Sequence, residues 1–298
     1  MLDIDCHAPM TDTPDAVGCG MIGLVLTASA PRVGVEPFFI ELVSGMEEVL
    51  APAGATVLLL VVRDLAAELA TYVRWAAEGT VDAVVVVNLV HDDVRPVRLT
   101  QLGLPAVLAG RYAGPAALSS VVSDNAGAIS AAMRLLRELG HRRIGRVSGP
   151  AGLVHTAERS ATMRADGRRL RVEVRIVEAD YSAEAGVRAA RQLLAEADPP
   201  TAIVFDNDVM AVAAEEELVR SGVEVPARVS LLACDDSTLC ELAVPPMSAL
   251  NIDVHEHGVT LGRAVLDVLR GAGQRVYPGP PIRIRRRGST GPAPADRP

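Results

Sequence analysis

Short aliphatic and β-branched runs alternate with longer amphipathic stretches along most of this 298-residue chain, and that alternation admits few folds. A strand that is apolar at every position must be covered on both faces, and a helix after each strand supplies the cover in βαβ units. Candidate strands are 21–27, 56–62, 83–88, 106–108, 120–123, 144–148, 172–177, 202–205, 229–233 and 282–286. Good helix formers fill 38–50, 66–78, 126–139, 183–197, 209–221 and 255–269. Gly79, Gly140, Gly222 and Gly271 follow four of these stretches, as C-terminal caps do. So many strands exceed what one twisted open sheet usually carries, which predicts two α/β lobes. The polar stretches 123–125, 248–253 and 276–280 are where the chain is expected to pass between them, leaving a cleft. In open α/β sheets ligands bind beyond the carboxyl ends of strands, where helix N-termini leave donors unpaired.

Composition narrows the function classes. Half the chain is hydrophobic (49%) but only 3% is aromatic, so the core must be aliphatic. The apolar runs are far shorter than the about 20 residues needed to span a bilayer, which predicts no membrane association. The formal charge of −8 disfavours direct contact with phosphate backbones. All 29 basic residues are Arg, read as the coding bias of a GC-rich genome. Cys6, Cys19, Cys234 and Cys240 form no C-x-x-C pair, so neither a zinc site nor a thioredoxin-type centre is expected. The acidic leader 1–19 lacks the apolar stretch of a secretory signal, which predicts a cytoplasmic protein.

The motifs that suggest enzymes fail on context. Gly18, Gly20 and Gly23 spell G-x-G-x-x-G, but a polar leader precedes them and a strand follows, the reverse of a dinucleotide site. No nucleophile elbow, phosphate-binding loop or H-E-x-x-H occurs, and no nucleophile sits beside a base, so no catalysis, cofactor or metal is expected. His255 and His257, two apart on a helix, cannot share one ion and read as solvent-facing. Glu215, Glu216 and Glu217 read as a solvated helix face, and His91, Asp92 and Asp93 as a capping segment.

The informative residues are polar ones at strand ends: Arg111, Asp124, Arg159, Asn207 and Asp235, with Tyr181 near them in pattern. Asp208 is open between a helix cap and a ligand group. Amide, carboxylate and guanidinium groups beside a flat aromatic suit a polyhydroxylated or heterocyclic ligand.

At these residues the sequence resembles the effector-binding core of the LacI/GalR family of bacterial transcriptional repressors, from about Gly20 to Pro292. The resemblance rests on segments such as EPFFIELVSGMEEVL, VSDNAGAISAAMRLLRELGHRRIGRVSGP, AERSATMRADG and PTAIVFDNDVMAVAAEEELVRSGVEVPARVSLLACDD, of which ELGHRRI and FDNDVMA are the most specific. It implies a periplasmic-binding-protein-like fold of type I: α/β, two similar doubly wound parallel-sheet lobes joined by three crossing strands. The lobes would comprise 20–123 with 250–278 and 124–249 with 279–290, followed by a flexible tail 291–298. Carried over by motif, Arg159, Tyr181, Asn207 and Asp235 match effector-contacting positions, and Phe38, Arg111 and Asp124 match positions near the cleft or its hinge. The implied protein is the sensing core of a homodimeric repressor, with a small polar effector, a sugar or related metabolite.

Glu36, Gly110, His155, Ala157, Thr162 and Ile252 depart from common family residues, which implies a different effector preference. Operator DNA would be met only through a helix-turn-helix head, which is not present in this chain; a late gene start, an excised core or a headless homologue would each account for that. The alternative is a free-standing solute-binding protein of a transport system, which shares the fold.

Overall fold

The computed structural model describes residues 20–27 and 36–295. The leader, with Cys6, Gly18 and Cys19, lies outside them. Two six-stranded sheets form the frame. The first comprises β1 (Met21–Thr27), β2 (Thr56–Val62), β3 (Ala83–Val86), β4 (Ala106–Ala109), β5 (Ser119–Val122) and β11 (Val276–Pro278), in the order β11-β5-β4-β3-β1-β2. The second comprises β6 (Arg143–Ser148), β7 (Glu173–Glu178), β8 (Ala202–Phe205), β9 (Ser230–Cys234), β10 (Ser248–Asn251) and β12 (Arg283–Arg285), in the order β12-β10-β9-β8-β6-β7. Every pairing is parallel except β10 with β12.

Helices α1 (Pro37–Leu50), α2 (Leu65–Glu78), α3 (Arg95–Leu102) and α9 (Val254–Leu269) cover the first sheet. The second carries α4 (Asn125–Glu138), α5 (Val154–Leu170), α6 (Ala183–Leu194), α7 (Asp208–Arg220) and the short α8 (Thr238–Leu242). Period-two alternation divides the core between the faces of each sheet. Ala83, Val85 and Val87 pack with Leu42 and Leu261 on one side, whereas Val84 and Val86 pack with Tyr72 and Leu99 on the other. In the second sheet Ile203 and Phe205 face Met210, while Ala202 and Val204 face Met133.

The chain crosses between lobes after β5, after β10 and after β11. The second crossing follows Asn251, because Leu250 and Asn251 still pair with β9 and β12; the expected boundary at 249–250 falls inside that strand. The expected tail also begins too early. Gly291 is buried, donating its N–H to Ser230 Oγ at 3.0 Å, and its carbonyl lies 3.1 Å from His141 Nε2. Ala293 donates to the Leu139 carbonyl at 2.8 Å. These bonds satisfy backbone groups at the rim of the second lobe and hold the chain there.

Three helices, α3, α5 and the short α8, have no counterpart among the expected elements. The buried side of α5 holds Thr156, Arg159, Met163, Asp166 and Gly167, so no apolar stripe marks it. Ser130 donates to Asp166 at 2.6 Å, tying α5 to α4 through a polar contact.

Candidate functional site

The carboxyl ends of both sheets face one cleft. From the first lobe come Glu36, Phe38, Asn88, Arg111 and Ser123; from the second come His155, Arg159, Tyr181, Asn207 and Asp235; and Ile252 and His257 follow the second crossing. Six of the seven residues expected to form the site therefore line one space: Phe38, Arg111, Arg159, Tyr181, Asn207 and Asp235. Asp124 stands apart, at the first crossing. Its Oδ1 caps α4 by accepting from Gly127 N at 2.8 Å, and the neighbouring Ser123 and Asn125 reach the cleft instead.

A buried ion pair anchors the second wall. Arg146 and Asp206 have no exposed side-chain surface and join in a two-pronged contact, Nε to Oδ1 at 2.8 Å and Nη2 to Oδ2 at 2.7 Å. Gly149 N also donates to Asp206 Oδ2, at 2.9 Å. Burial alone would raise the Asp206 carboxyl, but the Arg146 and Arg159 guanidiniums outweigh it and hold it below the usual carboxylate range. Arg159 spans the wall, donating from Nε to Asn125 Oδ1 at 2.9 Å and from Nη1 to the Asp206 carbonyl at 3.3 Å.

Asn207, not Asp208, caps α7: its Oδ1 accepts from Met210 N at 2.9 Å. Asp208 instead accepts from Ser237 N. The Asn207 amide nitrogen donates to the Tyr181 carbonyl at 3.2 Å and to Glu36 Oε2 at 3.3 Å. That second bond joins the lobes. Glu36 precedes Pro37 at the start of α1 and makes no cap bond, so its carboxylate is free to reach across. Two backbone contacts run in parallel: Val154 N donates to the Leu89 carbonyl at 2.9 Å, and Val90 bridges Leu153.

Asp235 and Tyr181 hold left-handed backbone conformations, at φ +65° and +69°, which β-carbons disfavour and which concentrate at functional sites. Burial, with the Asp208 carboxylate adding to it, pushes the Asp235 carboxyl up to about 8 despite Arg159. Near neutral pH it is therefore largely protonated and can donate as well as accept a hydrogen bond. Burial, then the Arg159 charge, depresses His155 to about 3, so its imidazole is neutral; its Nε2 lies 2.8 Å from the Tyr181 hydroxyl.

Gly149 makes room for that phenol. A β-carbon there would lie 2.1 Å from Tyr181 Cζ. Gly149→Ala is expected to expel the ring from its place beside His155 and Thr156 and to lower stability by about 1–3 kcal/mol. Urea denaturation reads the loss, and an unchanged midpoint would show that the ring has another seat.

Two expected surface groups, His257 and Glu215, are inside. His257 is only 6% exposed, its Nδ1 has no hydrogen-bond partner, and burial depresses it to about 4. Glu215 is 1% exposed, because it occupies the inward side of α7 while Glu216 faces out, and burial raises it to about 7. Asp93 does accept from a free N–H at the start of α3, Arg95 N at 3.0 Å, as a capping residue does, and the same buried carboxylate pairs with the Arg95 guanidinium, which also reaches Glu68 at 2.9 Å. His255 lies between Glu41 and Glu48, at 3.1 and 2.9 Å. Among the described residues no group of His, Cys, Asp or Glu is arranged to hold a metal, and no helix is long and apolar enough to cross a membrane.

Two doubly wound lobes around a cleft of hydrogen-bonding side chains define a ligand-binding domain of the periplasmic-binding-protein-like class. The model of that family, described as a periplasmic binding protein-like domain, matches residues 133–290. The HTH-type transcriptional regulator CelR of Thermobifida fusca is 32% identical over 261 residues, covering 84% of this chain and 75% of that protein. The repressor CytR of Escherichia coli K12 is 28% identical, covering 79% of this chain and 70% of its own length. A LacI family transcriptional regulator from Bifidobacterium animalis subsp. lactis superposes with a TM-score of 0.84 at 31% identity, covering 92% of this chain and 99% of that one. The CelR–cellobiose complex superposes at 0.81 with 30% identity, covering 91% and 84%. The chain belongs to the LacI family of transcriptional regulators and comprises its effector-binding domain.

Proposed function

We propose that the interlobe cleft binds a small polyhydroxylated effector, a sugar or close relative, and that the domain acts as the sensing half of a cytoplasmic homodimeric repressor. Asn207, Asp235 and Arg159 would hydrogen-bond ligand hydroxyls, Tyr181 and Phe38 would pack against its carbon face, and Arg111 and Asp124 would act at the opposite wall and hinge. The reading is carried by the convergence of Arg159, Tyr181, Asn207, Asp235, Phe38 and Arg111, from strand ends and from helices α1 and α5, on one space between the lobes. It is supported by the related CelR having been seen with cellobiose. Ligand would favour one lobe arrangement, and its differential affinity, typically about 1–3 kcal/mol, is all the free energy available to bias operator binding. No bond is made or broken.

Thermal shift against a panel of mono- and disaccharides and nucleosides tests the proposal. At roughly 100 times its Kd a true effector adds about 2.7 kcal/mol of stability. Asp235→Ala should abolish the shift. Asn207→Ala should do so as well, with about 1 kcal/mol of stability lost from the α7 cap. A shift that survives both variants contradicts this site.

A further inference from the structure

A cavity beside the cleft, among the described residues, is larger than the cleft itself. Its volume is about 730 Å³, against about 130 Å³ in the cleft between the drawn-together lobes, and it falls within the usual range for small-molecule sites. The space lies between α2, α3 and the segment that follows β4. Leu69, Val90, Val94, Val97, Tyr112 and Pro115 supply its apolar lining. Its inner wall rests on the core: Leu69, Tyr112 and Val154 pack against the cluster of Tyr72, Leu99 and Leu108. Val94, at 51% exposure, stands where it meets solvent. Exposed apolar side chains around an open cavity are unfavourable unless something covers them.

Two residues belong to both spaces, Arg111 and Val154. The guanidinium of Arg111 makes no hydrogen bond or ion pair within the described residues, so the side chain at the join is not committed to another role. Val154 opens α5, whose next residues carry His155 and Arg159 into the cleft. The cleft and the more apolar chamber thus adjoin at Arg111 and Val154, beside the backbone contact of Val154 N with the Leu89 carbonyl. Of the polar groups in the chamber's lining, Asp93 is taken up by Arg95, while His91, Asp92, Arg98 and Gln101 stand at its margin beside the apolar side chains.

We infer that this cavity is the second compartment of the effector site and that it takes an apolar substituent, an aryl or branched alkyl group, carried by a polyhydroxylated head held in the cleft. The inference rests on the cleft binding a polyhydroxylated head, as proposed above. The preferred effector class is then a substituted glycoside rather than a free sugar. A second sugar ring would set some of its hydroxyls against Leu69, Val94 and Val97, where an apolar group loses nothing, so the apolar substituent is favoured over the ring.

Matched methyl and 4-nitrophenyl glycosides of the common hexoses and of cellobiose, with 4-nitrophenol alone, test this by calorimetric titration of the wild type, V97F and V94W. Val97 lines the chamber from α3, and Val94 stands at its mouth, where a larger side chain disturbs no core. The expected result is an aryl glycoside that binds about ten-fold more tightly than its methyl partner, the size of effect that burying one ring gives. V97F or V94W should remove that preference while leaving methyl glycoside affinity unchanged. Equal affinities in the wild type, or a preference that survives both variants, would overturn the inference. If no glycoside binds but 4-nitrophenol does, and V97F removes its binding, the apolar chamber stands and the sugar reading of the cleft falls. Should neither glycosides nor 4-nitrophenol give a signal sensitive to V97F or V94W, the chamber assignment fails.

Discussion

Asp206→Ala should destabilise the domain by about 3–5 kcal/mol, the loss that follows when one member of a buried ion pair is removed and the other stays charged. Arg146 has no solvent-exposed surface, and without Asp206 it keeps only Ser160 Oγ at 2.8 Å and a long contact to the Thr156 carbonyl. Two further cleft groups depend on the same carboxylate. Gly149 N would lose its acceptor beside the Tyr181 ring, and Arg159 would lose the charge 3.8 Å from its Nη1. Ligand binding should therefore fall with stability. Urea denaturation measures the loss, and the double variant Arg146→Met with Asp206→Leu should recover most of it, because a well-packed apolar pair often replaces a buried ionic one without penalty. A loss under about 1 kcal/mol in the single variant would show that water or an anion reaches Arg146.

Gly258→Val should be nearly as damaging, through packing rather than charge. Helices α1 and α9 approach so closely that a β-carbon on Gly258 would lie 2.2 Å from the Leu42 carbonyl oxygen and 3.0 Å from Met46 N. Gly45 meets the His255 carbonyl at 2.0 Å in the same way from the other side. Both obstacles are backbone, so no side-chain rotation relieves them and the helices must separate. The expected cost is about 3 kcal/mol, the upper end for overpacking. Even Gly258→Ala should destabilise, although alanine gains about 1 kcal/mol over glycine in a helix free of contacts. A chemical denaturation series over Gly, Ala and Val reads the trend, and a stabilised alanine variant would show that the helices can part cheaply. Because α1 brings Phe38 to the cleft and α9 brings His257, the separation should also weaken ligand binding.

The frame was legible in the sequence because parallel strands buried on both faces leave uninterrupted aliphatic runs, such as AVVV in β3 and AIVF in β8. The ends of those runs pointed to Asn207 and Asp235, which follow β8 and β9 and which the fold brings to one space; Arg159, expected at a strand end, lies instead within α5. What stayed hidden is polar and buried. Helix α5 turns Thr156, Arg159 and Asp166 inward, so hydrophobic periodicity has nothing to detect. Glu215 looks like its neighbour Glu216 until the rotation of α7 is known, and His257 looks like His255 until α9 is set against the crossing after β10. Gly291 and Ala293 are held by backbone hydrogen bonds, which leave no trace in a Pro- and Gly-rich segment. Asn207 was separable from Asp208 only by geometry, since either could cap a helix beginning at this point.

The bond from Asn207 to Glu36, with the main-chain links of Leu89 to Val154 and Val90 to Leu153, fastens the two halves together across the crevice. Entry then requires these fastenings to release first. Where that release is slower than diffusion to the crevice, the observed association rate levels off as guest concentration rises, and responsiveness is governed by how often these contacts part rather than by how much metabolite surrounds the molecule.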